Sequence, residues 1–125
     1  MWWERVRPWR FALLYMATIF VISSFEVSVP GLERFPLRDK GIHFVEYAVL
    51  GWLCASASFR TWPSVPWWRT VLFAIFVSVL WGVSDEIHQA FVPGRFAELN
   101  DVTADFFGST AGALGCHFFS RRTVN

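Results

Sequence analysis

The sequence predicts an all-α integral membrane protein, a bundle of four transmembrane helices with both termini in the cytoplasm. Three observations predict this fold class: the composition, four apolar segments of spanning length, and an uneven distribution of basic residues. Hydrophobic residues make up 54% of the 125 residues and aromatic residues 19%, whereas charged residues make up 17%. A water-soluble domain of this composition would expose large apolar patches and aggregate. We therefore expect residues 1–125 to form a single transmembrane domain.

Four segments are long enough for a helix that crosses a bilayer, which needs about 20 mostly apolar residues. The predicted helices comprise residues 9–29, 41–59, 67–91 and 101–120. Pro-Gly pairs at 30–31 and 93–94 end the first and third helices, and the short connections predict antiparallel packing of consecutive helices. A cleaved signal peptide is the alternative for the first segment. Its apolar run is longer than the roughly 7–15 residues of a signal, and no small-x-small site precedes Pro30.

Charge distribution predicts the orientation of these helices. The two tails and the middle loop hold seven basic residues, Arg5, Arg7, Arg10, Arg60, Arg69, Arg121 and Arg122. The two opposite loops hold four, Arg34, Arg38, Lys40 and Arg95. Because short cytoplasmic loops carry the excess of lysine and arginine, both termini should be cytoplasmic. Nine of the ten acidic residues fall on the other, outer side; the exception is Glu4.

The outer helix ends carry the candidate functional residues. An ionisable group within hydrocarbon costs about 2.5–3.5 kcal/mol on insertion scales, so such groups should turn towards one another or a wet cavity. Helical spacing of three or four places several of them on shared faces. We expect all four helices to converge on one polar pocket open to the outside, formed by Glu26, Asp39, Lys40, His43, Glu46, Tyr47, Asp85, Glu86, His88, Gln89, Arg95, Asp101 and Asp105.

A glycine stripe continues along the fourth predicted helix through Gly108, Gly112 and Gly115. Gly108-x-x-x-Gly112 is a small-x-x-x-small pattern, which is typical of helices that pack closely in membranes. Leucine at position 112 should force the helix axes apart, and alanine should have a mild effect. The stripe therefore predicts a structural role rather than a binding role.

Two motifs of this sequence resemble the signatures of the VanZ-like family. The first is Asp39-Lys40-x-x-His43-Phe44-x-x-Tyr47-x-x-Leu50-Gly51. The second is Asp85-Glu86-x-His88-Gln89-x-Phe91-x-Pro93-Gly94-Arg95, followed by Asp101-x-x-x-Asp105-x-x-Gly108. The resemblance implies a small multi-pass protein of the bacterial plasma (inner) membrane, in a family named for a teicoplanin-resistance determinant. It implies no particular reaction. Many members carry Asn at the position of Asp105.

The first functional hypothesis is a non-enzymatic envelope protein with an envelope or antibiotic-resistance role. Its outward pocket would bind a lipid headgroup, a cell-wall precursor or a lipophilic glycopeptide antibiotic. Lys40 and Arg95 suit phosphate, because a guanidinium offers a planar fork of donors. Phe44 and Phe91 could flank an acyl chain. The expected binding residues are Asp39, Lys40, His43, Tyr47, Asp85, Glu86, Gln89, Arg95, Asp101 and Asp105.

The second hypothesis is an intramembrane enzyme that acts on lipid-linked phosphate or ester substrates. The candidate catalytic residues are His43, Glu46, Asp85, Glu86 and His88. They supply an acid/base pair or the ligand types for a divalent cation, although no strict metal motif such as His-Glu-x-x-His is present. A proton- or cation-coupled carrier is a third hypothesis. We favour binding over catalysis. The expected partners are membrane lipids or a lipid-linked envelope precursor, with a homodimer as an open alternative; no basic run indicates nucleic acid.

Overall fold

The structure is a computed structural model that describes residues 1–25 and 38–122. Within these ranges the chain is helical and has no strands. Its elements are α1 (Trp2–Val6), a 3₁₀ turn (Arg7–Trp9), α2 (Arg10–Ser23), α3 (Arg38–Thr61), α4 (Trp67–Gln89) and α5 (Leu99–Arg122). The expected site residue Glu26 and the Pro30-Gly31 pair lie outside the described residues.

Three helical segments in the described part of the chain are long and apolar enough to cross a membrane. They are Trp2–Ser23, Asp39–Thr61 and Trp67–Gln89. The first of these comprises α1, the 3₁₀ turn and α2. The remaining long helix, α5, has 24 residues, the same length as α3, but is not among these three. The chain is therefore a membrane protein whose described residues are all-helical, with three candidate spans and one further long helix among them.

Two of the predicted helices end earlier than the sequence indicated. Helix α4 ends at Gln89, two residues before the predicted end, and a turn follows in which Gly94 has φ 81°. Pro93 disfavours helical backbone at the residue before it, and a positive φ suits glycine. Helix α2 ends at Ser23, where the hydroxyl of Ser24 donates to the carbonyl of Phe20 and the hydroxyl oxygen of Ser23 lies 3.0 Å from the same carbonyl oxygen. Residues 26–29 of the predicted first helix lie outside the described ranges.

The most extensive helix contact joins α3 and α5, which are not consecutive in the chain. The two helices are parallel, because contacts between them keep a nearly constant offset in sequence. Lys40 contacts Asp101 at their first turns, and Phe59 lies against His117 near their last turns. Helices α2 and α4 run in the opposite direction. The bundle therefore alternates in direction along the chain, as the short connections predicted.

Glycines allow the backbones of α3 and α5 to approach each other. A Cβ atom built on Gly108 would overlap the carbonyl oxygen of Phe44, and one built on Gly112 would overlap the carbonyl oxygen of Ala48. Gly51 of α3 has the same relation to the backbone of α5. The expectation that alanine would be mild at position 112 is wrong, because even a methyl group meets backbone atoms. Small residues continue this close packing into the core.

The core lies along the axis of the bundle and consists largely of small side chains. Its buried apolar residues are Ala12, Met16, Ile19, Tyr47, Leu50, Cys54, Ala55, Val71, Ala74, Ala113 and Cys116. Large apolar side chains point outwards instead, as expected of helices surrounded by lipid. At one end of the bundle Trp9 donates to Thr61 at 3.0 Å, and Trp67 stacks on His117. This end carries the arginines and tryptophans of the tails and middle loop.

Candidate functional site

The opposite end of the bundle holds a concentration of buried polar side chains, which we call the polar end. It forms where α2 and α4 end and where α3 and α5 begin. Its buried residues are Ser23, His43, Asp85, Glu86, Gln89, Asp101 and Asp105. Each lies at the end of a helix whose core residues are further along the same face. Their arrangement falls into two groups on either side of α4.

The first group is a chain of hydrogen bonds from α2 through α4 to the turn after it. Ser23 donates to Oδ1 of Asp85 at 2.5 Å, and Gln89 donates to Oδ2 of the same carboxylate at 2.8 Å. The amide oxygen of Gln89 accepts from Nη2 of Arg95 at 2.7 Å. Arg95 also donates through Nη1 to the carbonyl of Phe25. We call this series the Ser23–Arg95 chain; it fixes a half-buried guanidinium at the rim.

His88 flanks this chain without being a link in it. Its ring stacks on Phe20, with the ring centroids 4.2 Å apart. Its two ring nitrogens lie 3.4 Å and 3.5 Å from the hydroxyls of Ser23 and Ser24. The carboxylate of Asp85 is 3.9 Å away. His88 therefore packs at the α2–α4 boundary, apart from the other histidine of the polar end.

The second group joins α3, α4 and α5, and it begins with an ion-pair triplet. Nζ of Lys40 lies 2.5 Å from an oxygen of Glu98 and 2.5 Å from Oδ1 of Asp101. The lysine is a quarter exposed, whereas the Asp101 side chain is almost fully buried. Two carboxylates thus share one ammonium group. Because the ammonium group is already paired with these carboxylates, the arrangement does not favour the expected contact between Lys40 and a phosphate.

His43 lies one turn deeper, between two aspartates of α5. Its Nδ1 is 2.9 Å from Oδ1 of Asp105, and its Nε2 is 3.6 Å from Oδ2 of Asp101. Asp105 is fully buried, and its second oxygen Oδ2 has no hydrogen-bond partner in the described part of the chain. This carboxylate packs over Gly82, where a Cβ would come within 2.6 Å of it. Asp105 therefore orients the imidazole of His43.

Glu86 is the residue of α4 that belongs to this second group, beside His43 and Asp101. Its Oε2 accepts a hydrogen bond from the backbone N–H of Glu98 at 2.9 Å, whereas its Oε1 is buried and has no partner among the described residues. Potential ligand atoms of His43, Glu86 and Asp101, one from each, all lie within 4.8 Å of one another. An imidazole nitrogen and two carboxylates are ligands that divalent transition metals accept.

The remaining expected residues lie near these groups but contribute differently. Asp39 is exposed in the first turn of α3. Glu46 is half-buried and interacts electrostatically with His43, Asp85, Asp105 and Arg95, so it lies between the two groups. Tyr47 is fully buried, and its hydroxyl has no hydrogen-bond partner among residues 1–25 and 38–122.

The five candidate catalytic residues do not form one cluster. His43 and Glu86 come together with Asp101, Asp85 and His88 lie on the α2 side of α4, and Glu46 lies between. Sequence reasoning missed two participants, Ser23 and Glu98. The signal for Ser23 was a pair of hydroxyl residues at the end of an apolar helix. Glu98 precedes Asp101 by three residues, which is helical spacing.

Comparison with known proteins identifies a family whose model covers the polar end, where carboxylates outnumber cations among the described residues. No curated protein and no solved structure matches the chain. The family model described as VanZ/LLP1 matches residues 3–120, nearly the whole chain and both groups of the polar end. The resemblance indicated by the two motifs is thereby confirmed, and the chain belongs to the VanZ/LLP1 family.

Proposed function

We propose that this chain is a four-span protein of the bacterial inner membrane whose polar end binds an anionic lipid headgroup at the outer surface. The headgroup belongs either to a membrane lipid or to a lipid-linked cell-wall precursor. The observation that carries the proposal is the guanidinium of Arg95, which the Ser23–Arg95 chain holds in a fixed position. A lipophilic glycopeptide antibiotic also joins a polar group to an acyl tail, so the resistance role is a competing version of the same binding.

The four-span part of the proposal rests on the contact between α3 and α5. A 24-residue helix is about 36 Å long at 1.5 Å per residue, which is enough to cross the hydrocarbon core. Helix α5 runs parallel to α3 from Asp101 to His117. If α3 crosses the membrane, α5 crosses beside it. The small and polar residues of α5 face α3 and α4 rather than lipid, which explains its lower apolarity.

The orientation rests on the arginines at the end opposite the polar end. Basic residues favour the cytoplasmic side. We expect a reporter that is active only outside the cytoplasm to be inactive when fused after Asn125. The same reporter should be active when inserted between Leu32 and Leu37, a segment that lies outside the described residues. Activity at Asn125 together with inactivity in this segment would reverse the orientation and move the polar end to the cytoplasm.

Arg95 has the properties of a headgroup ligand. A guanidinium carries five N–H donors, and the contacts to Gln89 and Phe25 use two of them. The remaining donors are available to a phosphate in the planar geometry that arginine favours. Phe91 and Phe96 flank the turn and are 83% and 82% exposed. These rings are positioned to lie among acyl chains while the guanidinium contacts the headgroup.

We expect Arg95→Lys to weaken headgroup binding nearly as much as Arg95→Ala, because lysine lacks the planar fork. The measurement is native mass spectrometry of the purified chain after equilibration with phosphatidylglycerol or a polyprenyl phosphate. Arg69→Ala, at the opposite end, is the matched control and should retain wild-type binding. Full binding by Arg95→Lys would mean that only a point charge is needed. Full binding by Arg95→Ala would refute the proposal.

Catalysis is the second candidate function, and one observation favours it. Asp105 holds His43 through Nδ1 at 2.9 Å, an arrangement that in many enzymes aims the other ring nitrogen at a reacting group or metal ion. The chain would then hydrolyse a lipid-linked phosphate or ester. Incubation with a polyprenyl diphosphate and analysis of the lipid distinguishes the two functions. Recovery of unchanged lipid supports binding, whereas release of phosphate that is lost in His43→Gln supports catalysis.

A further inference from the structure

We propose that His43, Glu86 and Asp101 bind one divalent transition-metal ion. The three residues come from α3, α4 and α5, so the ion would join three helices at the polar end. This inference goes beyond the proposed function, which rests on Arg95 on the other side of α4. Either one can fail while the other stands.

The positions of the ligand atoms are the first argument. One atom from each residue lies within 4.8 Å of the others. Ligands at about 2.1 Å from an ion are at most about 4.2 Å from each other, so small side-chain rotations suffice to close the site. The three residues are buried. A buried site on three rigid helices needs little reorganisation to bind an ion.

The orientation of His43 is the second argument. When Asp105 accepts the proton of Nδ1–H, the lone pair of the neutral ring lies on Nε2, which faces Oδ2 of Asp101 at 3.6 Å. Two lone pairs at that separation repel unless a positive charge lies near both. Metal-binding histidines commonly donate their other N–H to a carboxylate in this way, which fixes the ring and increases its basicity. Asp105 would be that positioning residue.

The unpartnered oxygen of Glu86 is the third argument, and it decides between a metal ion and a proton. A doubly protonated His43 could satisfy both Asp101 and Asp105. It would leave Oε1 of Glu86 buried without a partner, on a side chain that is only 5% exposed. A buried carboxylate oxygen without a hydrogen bond or counter-ion is costly. A cation among the three residues compensates it.

The donor set indicates the class of ion. One imidazole nitrogen and two carboxylate oxygens suit Mn²⁺, Fe²⁺ or Zn²⁺. Ca²⁺ prefers six to eight oxygen ligands, and three ligands from the chain are too few for it. Lys40 lies on Oδ1 of Asp101, so it leaves Oδ2 for the ion and limits the negative charge of the site.

The test uses the full-length chain in detergent, treated with EDTA and then given Zn²⁺ or Mn²⁺ alone. We expect about one ion per chain by elemental analysis and a higher melting temperature. His43→Gln and Glu86→Gln should lose both effects. Asp105→Asn should retain binding but weaken it by roughly 10- to 100-fold, the usual effect of removing a carboxylate that orients a metal-binding histidine. His117→Gln, the same exchange at the opposite end, is the matched control and should bind as wild type.

The outcomes that overturn the proposal are equally specific. A wild-type chain that retains no ion and melts at the same temperature with and without metal refutes the site. Equal binding by wild type, His43→Gln and Glu86→Gln shows that the ion lies elsewhere. If His43→Gln does not fold, the nearly isosteric Glu86→Gln and Asp105→Asn decide the question. Loss of metal binding with intact headgroup binding separates this inference from the proposed function.

Discussion

Replacing Gly112 with alanine should lower the melting temperature markedly, and replacing it with leucine should prevent assembly of the bundle. A Cβ at this position overlaps the carbonyl oxygen of Ala48 and lies 2.7 Å from its carbonyl carbon and 2.9 Å from the backbone nitrogen of Trp52. Because these are backbone atoms of α3, no rotamer change relieves the overlap. Inserting a methyl group into a tightly packed site typically costs about 1–3 kcal/mol, and leucine adds much more volume.

Gly115→Ala is the matched control on the same helix. A Cβ there lies 3.4 Å from the ring of Trp52, a side chain that can adjust. Thermal unfolding in detergent, followed by tryptophan fluorescence, should give a nearly unchanged melting temperature for this variant. If Gly112→Ala melts like Gly115→Ala, the close approach of α3 and α5 at Ala48 is refuted.

Lys40→Met should strongly destabilise the chain in the presence of EDTA. The substitution keeps the aliphatic stem but removes the only ammonium group within ion-pair distance of Glu98 and Asp101 in the described part of the chain. Removing one partner of a buried ion pair costs about 3–5 kcal/mol. We expect roughly 1–3 kcal/mol here, because a quarter of the lysine side chain is exposed and water screens the pair. The measurement is the free energy of unfolding in a mild denaturing detergent.

Arg69→Met provides the comparison for this experiment. Its guanidinium lies over the ring of Trp68 at the opposite end, and no carboxylate pairs with it in the described residues. We expect little change in stability. If Lys40→Met is as stable as Arg69→Met, the triplet of Lys40, Glu98 and Asp101 does not stabilise the fold. Partial recovery of stability on adding Zn²⁺ would show that an ion can replace the lysine.

The helices could be predicted from the sequence because their signals are local. Apolar runs and the Pro93-Gly94 pair gave the second, third and fourth segments to within three residues of α3, α4 and α5, whereas α2 ends at Ser23, six residues before the predicted end of the first segment. The parallel contact between α3 and α5 could not be predicted. It depends on register between helices separated by α4, and the glycines at 51, 108 and 112 indicate a close approach without identifying the partner atoms.

The location of the polar end could be predicted from the sequence, but the hydrogen bonds and ion pairs within it could not. Placing an ionisable group in hydrocarbon costs free energy, so charged groups in helices that cross lipid have few favourable positions. Their convergence at one end of the bundle could therefore be predicted. The division of these residues into two groups could not be predicted. Asp85 and Glu86 are neighbours in sequence but project about 100° apart around α4. One therefore joins α2 and the other joins α5, and only the rotation of α4 within the bundle decides which.

The close contact between α3 and α5 can form only late in the synthesis of the chain. Helix α3 emerges from the ribosome before α4 and α5, so Lys40 and His43 enter the membrane before Asp101 and Asp105 exist to pair with them. Until then we expect those side chains to remain near the membrane surface, where water can reach them. Helix α5 is the long helix in the described residues that is not among the three candidate spans, and its glycine face gains little from lipid. If α5 crosses the membrane as proposed, its insertion should therefore depend on the helices inserted before it, and we expect a chain truncated before α5 to be degraded.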